Sequence, residues 1–162
     1  MTLFPNARST RTTTTPSVRA PDERPPDGRP AALRYGSAWV TGAARGVDAR
    51  RAVQAFLTRA ARSARLRVTA RAEQDAGLVV SELVTNAVRH APGPCGLLLE
   101  LSADHTRLGI TVWDTSPALP LVHGRDGARV GGHGLYLVRA CSRALTAAAR
   151  PGGKQVTAEV TL

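Results

Sequence analysis

The strongest constraint on this chain lies between residues 70 and 90. There Ala76, Val80, Leu83 and Ala87 recur at helical spacing, and nothing interrupts the period until Pro92-Gly93-Pro94. Apolar residues three and four apart form one stripe along a helix, so this segment has to lay that stripe on a core. The Pro-Gly-Pro cluster ends it, because proline lacks an N–H and turns the residue before it out of helical backbone. The same helix carries Glu82 and Asn86, four residues apart and about a quarter turn from the Leu83/Ala87 stripe. A carboxylate and a carboxamide are thereby set at a cleft edge, where Asn86 can offer a neutral oxygen to Mg²⁺ and leave Glu82 to accept a proton. The competing reading is a solvated face that holds both by chance, since such pairs are ordinary on surface helices.

Around this helix the chain reads as a single domain. Residues 1–34 are rich in Pro, Thr, Arg and Asp with almost no large apolar side chains, the composition of a disordered tail, so the domain is expected over 35–162. Residues 37–40 suit a short edge strand. Asp48 can cap a helix in which Val53, Phe56, Leu57 and Ala60 share one face. Leu97-Leu98-Leu99-Glu100-Leu101 and residues 107–114 read as a hairpin about a turn at 103–106. Residues 115–133 have no period and hold Pro117, Pro120, Gly124, Gly127, Gly131 and Gly132, a length that usually marks a functional loop. Leu135, Val138, Cys141 and Leu145 suit a third helix, and Val156, Ala158, Val160 and Leu162 alternate as a closing strand after the Pro151-Gly152-Gly153 turn. Helices interleaved with hairpin strands predict an α/β (α+β) two-layer sandwich, with helices on one face of a mixed, mostly antiparallel sheet.

Two further features bear on chemistry. Leu108, Ile110 and Val112 define one strand face, and a period of two puts Asp114 on it. A carboxylate buried there needs a donor, and an adenine amino group would serve; the alternative is a strand that stops at Trp113, with Asp114 opening a solvated turn. Gly131-Gly132-His133-Gly134 stands directly before the third helix, where backbone N–H groups and the helix N-terminus favour phosphate. Commoner nucleotide motifs are excluded. There is no GxxxxGK[ST], and no GxGxxG follows a first strand. His90, His105, His123 and His133 lack metal-ligand spacing, and no Ser lies in a GxSxG elbow.

The net charge of +10 would suit a nucleic-acid partner, but Arg is spread along the whole chain and aromatic residues are only 4% of it, so direct nucleic-acid binding is not expected. Cys95 and Cys141 form no CxxC pair, and neither a signal-peptide core nor a membrane span is apparent, so a cytoplasmic location is expected.

In order and chemistry, three segments resemble the ATP-binding boxes of the histidine-kinase, gyrase and Hsp90-like ATPases. Glu82-Leu-Val-Thr-Asn86-Ala-Val-Arg-His90 is similar to the N box, Trp113-Asp114-Thr-Ser-Pro117 to the first glycine box, and Gly132-His-Gly134-Leu-Tyr-Leu-Val138 to the second. The lead-in Val79-Val80-Ser81-Glu82-Leu83-Val84 and the terminal Gly152-Gly153-Lys154-Gln155-Val156 resemble the stand-alone anti-sigma-factor serine/threonine kinases. The likeness covers roughly residues 37–162.

The resemblance implies a Bergerat-type fold with ATP between the second helix, the loop and the sheet. Asn86 would coordinate Mg²⁺ and Glu82 would be the general base. Asp114 would hold the adenine amino group, and Gly132, Gly134 and Leu135 at the start of the third helix would cradle the phosphates. Arg125 or Arg129 would reach the γ-phosphate. Ser116 and Ala118 stand where the family has glycines, and Gln155 where it commonly has a Thr that helps bind adenine. The partners implied are a sigma factor and an anti-anti-sigma protein, with a homodimer as the expected assembly. A non-catalytic ATP-responsive binding module and a basic nucleic-acid-associated protein are the alternative functions.

Overall fold

The computed structural model of the protein describes residues 31–120 and 133–162. Five strands and three helices follow one another as β1 (Ala31–Trp39), α1 (Gly46–Ala64), α2 (Ala70–His90), β2 (Cys95–Ser102), β3 (Arg107–Asp114), α3 (His133–Cys141), β4 (Ala144–Arg150) and β5 (Gly153–Thr161). The strands form one sheet in the order β1-β2-β3-β5-β4. Every pairing among the described residues is antiparallel, so the parallel component implied by a mixed sheet is not found.

The period of two decides which face is covered. Leu97, Leu99 and Leu101 of β2, Leu108, Ile110 and Val112 of β3, and Val156, Ala158 and Val160 of β5 all point to one side and are buried. The helices supply the opposing layer through Val53, Phe56 and Leu57 of α1, Val79, Val80, Leu83 and Val84 of α2, and Val138 of α3. At roughly 1.5–3 kcal/mol for each fully buried Leu, Val or Phe, this layer contact is the main force holding the sandwich closed.

The ends of α2 follow from local chemistry. Thr69 is its N-cap, with the side-chain oxygen accepting from Ala72 N–H at 3.1 Å. Arg89 lies in the last turn, where its positive charge complements the helix dipole. In α1 the sequence reading is corrected: the N-cap is Arg45, and Asp48 sits inside the first turn, favoured there by the dipole rather than by capping.

Two strands and one helix end also differ from expectation. β1 begins at Ala31, so residues 31–34, assigned to the tail, belong to the sheet. Leu145 is not part of α3. The helix ends at Cys141, Ser142 Oγ turns back to donate to the Val138 carbonyl at 2.7 Å, and Arg143 N–H donates to the Glu159 carbonyl at 2.7 Å. That last bond starts β4, an edge strand beside β5, so the chain closes on a hairpin rather than a lone strand. Among the described residues, no helix is long and apolar enough to cross a membrane.

Candidate functional site

Helix α2 brings one flank of polar residues to the top of the sandwich while its stripe stays in the core. Leu83, Val84 and Ala87 are buried, whereas Ser81, Glu82 and Asn86 are half-buried beside them. The register is held from behind, because Arg50 of α1 donates to Ser81 Oγ at 2.8 Å. Across from α2, the chain enters α3 at His133, and a Cβ built on Gly134 would overlap Oε2 of Glu82. Glycine is required there for that close approach, and the result is a carboxylate resting against the positive end of a helix. Leu135, next in sequence, is half-buried against the core and anchors that first turn.

Asp114 closes the inward face of β3, buried to 4% exposure, which decides between the two sequence readings in favour of the strand. Its donor is within the chain. Lys154, its register partner at the start of β5 and 6% exposed, places Nζ 2.9 Å from Oδ1. The same Oδ1 accepts from Ser116 N–H at 2.8 Å, so the strand runs straight into a turn closed by its last side chain. Burying such a pair costs desolvation that the mutual attraction roughly offsets, so its worth lies in fixing position more than in stability. The carboxylate is felt by Cys95, whose thiol is pushed up by burial and, secondarily, by the Asp114 charge. Gly153 makes the approach of β5 possible, because a Cβ there would collide with the Asp114 carbonyl oxygen.

Ser116 and Ala118 replace glycines without backbone penalty. Among the described non-glycine residues only Arg65 and His105 have positive φ, so the turn after Asp114 never enters the region that favours glycine. Ser116 Oγ instead accepts from Ala118 N–H at 3.4 Å. Gln155 requires correction. It pairs with Trp113, one step out of phase with Asp114, and so belongs to the uncovered face of the sheet. Lys154, not Gln155, stands on the inward face beside Asp114, where the resemblance sets Gln155 in the place of an adenine-binding Thr. The signal was present, since a period of two carried back from Val156 lands on Lys154. Gly132, Arg125 and Arg129 lie outside the described residues.

The structure therefore joins Glu82 to Gly134, sets Asn86 one turn along from Glu82, and ties Asp114 to Ser116 and Lys154. An antiparallel sheet covered by three helices, with an acid and an amide on the central helix and a glycine-led third helix beside them, defines a nucleotide-handling α+β sandwich. Residues 44–160 match the family described as the histidine kinase-like ATPase domain, and the chain belongs to that family of ATP-binding domains. The matched stretch spans the three segments likened above to ATP-binding boxes. No curated protein matches the chain.

Proposed function

We propose that the protein is an ATP-dependent serine/threonine kinase of the anti-sigma-factor type, which holds a sigma factor and phosphorylates a serine on an anti-anti-sigma partner. The observation that carries this reading is the contact between Glu82 and the N-terminal turn of α3 at Gly134. A general base has to stand where the phosphoryl group is held, and here the carboxylate and the helix end suited to phosphate touch.

Mg-ATP would supply the phosphoryl group and the charge neutralisation that transfer requires. The residues present fit it. Asn86, half-buried one turn along α2 from Glu82, offers one neutral oxygen to the cation. A Mg²⁺ bound through one side chain and phosphate oxygens is the usual arrangement at such sites. Asp114 has one carboxylate oxygen, Oδ1, already engaged by Ser116 and Lys154, and its other oxygen would accept from the base amino group. Glu82 accepts the proton of the partner's serine hydroxyl as that oxygen bonds to the γ-phosphorus and the bond to the departing ADP oxygen breaks. Gly134 and the first turn of α3 would orient the phosphates, and Asn86 would hold the cation.

Incubation with γ-labelled ATP and a panel of anti-anti-sigma domains tests this directly. Label is expected on one serine of a cognate domain, with Glu82→Gln slowing transfer by about 10²- to 10⁴-fold while ATP affinity stays near wild type. Absence of labelled serine across the panel, with ATP bound, would refute kinase activity.

A further inference from the structure

Lys154 is the only lysine in a chain whose other side-chain cations are all arginine, and it is buried. Its ammonium makes one bond, to Asp114 Oδ1, which leaves two N–H donors with no acceptor among the described residues. The carboxylate is complementary. Oδ1 is saturated by Ser116 N–H and Lys154, while Oδ2 accepts nothing from the described residues. A mere counter-ion for Asp114 would be better served by arginine, whose planar fork grips both carboxylate oxygens and is the commoner choice in buried pairs. The compact ammonium does the opposite, engaging one oxygen and keeping donors in reserve.

We propose that Lys154 is a second base-reading residue of the nucleotide pocket, acting with Asp114 as a fixed acceptor–donor pair. Oδ2 takes the exocyclic amino group of adenine, and the ammonium donates to the adjacent ring nitrogen N1. The inference rests on the ATP reading of the pocket and specifies how the base is selected. A guanine or hypoxanthine ring in the same pose presents its keto oxygen to the carboxylate and its N1–H to the ammonium. Both contacts then set like against like, and neither group can turn away, because β3–β5 register and the Ser116 N–H hold them.

The test compares ATP with 1-deaza-ATP, in which N1 is replaced by C–H, by calorimetric titration of the full chain. Wild type is expected to bind 1-deaza-ATP about 10- to 100-fold more weakly than ATP, the range for a charged donor losing its acceptor. In Lys154→Met the two ligands should converge. Equal affinity of wild type for both would overturn the role of Lys154 and leave the pocket standing, whereas failure of every nucleotide to bind would overturn the pocket itself. If Lys154→Met does not fold, the wild-type comparison still decides. A second readout needs no variant: apart from the chain's α-amino group, Lys154 is the only amine for acetic anhydride to acylate. Saturating ATP should slow its modification at least about tenfold, as a fraction-occupied argument requires, and ITP should not. Equal protection by both nucleotides would overturn the proposed selection.

Discussion

On the proposed kinase reading, replacing Gly134 with alanine separates stability from catalysis at one atom. The added methyl would occupy the space now filled by Oε2 of Glu82, the far end of a flexible side chain, so the protein can relieve the overlap by swinging that carboxylate away. The displaced rotamer costs about 0.5–1.5 kcal/mol. Against this, alanine in place of glycine in a helix gains about 0.5–1 kcal/mol. The two nearly cancel, and at roughly 3–6 °C per kcal/mol for a domain of this size the melting temperature should move by no more than a few degrees. Transfer should behave differently. A base displaced by about 1 Å forfeits on the order of 10²-fold in rate. Differential scanning fluorimetry and γ-labelled ATP transfer on the same preparation measure both quantities. Because the substitution acts through Glu82, adding Gly134→Ala to Glu82→Gln should cost little more. A further hundredfold loss in that background, or a wild-type rate for Gly134→Ala alone, would refute the reasoning.

Other expectations follow from the same structure. Asp114→Asn leaves Lys154 buried opposite a neutral amide; urea unfolding should show a loss of up to about 3 kcal/mol, and ATP titration a severe loss of affinity. Leu83→Ala empties the fully packed face behind Glu82 and should cost about 2–5 kcal/mol in the same urea assay. Thr69→Ala removes the N-cap of α2 and should cost about 1 kcal/mol, with no change in nucleotide specificity. At the β2–β3 turn, hydrogen bonds from Ser102 and then Thr106 hold the Asp104 carboxyl well below the usual carboxylate range. A depressed folded pKa means stability that is present above the unfolded value of about 3.9 and lost as pH falls toward the folded value. Asp104→Ala should therefore flatten the decline of melting temperature below about pH 4. An unchanged acid slope would show that the turn does not contribute.

What could be read from the sequence tracked how local the controlling physics was. α2 was legible because its 21 residues of unbroken period meet a proline stop, and the β2–β3 hairpin because its inward leucines, isoleucine and valine alternate about an Asp-His turn, with His105 in the left-handed region. β4 was not. Ala144-Leu-Thr-Ala-Ala-Ala-Arg150 has the composition of a good helix, and Leu145 even falls in phase with Val138 and Cys141. Only pairing with β5, started by Arg143 and returned through Pro151-Gly152, makes it a strand. At the site, Glu82, Asn86, Asp114 and Gly134 were each visible as residue types in order. The Glu82–Gly134 contact and the Asp114–Lys154 pair were not, because both join segments that are distant in sequence.

The two halves of the pocket therefore differ in how they tolerate disorder. Glu82 and Asn86 are separated by four residues of one helix, about 6 Å along its axis, a spacing set by backbone hydrogen bonds that α2 carries within itself. Asp114 and Lys154 have no such autonomy. They face each other only while β3 and β5 keep register, and a slip of one residue would turn either to the opposite face. Under gentle heating or mild denaturant, the end of the site proposed to read the base should loosen while the end proposed to handle phosphate still keeps its internal ruler.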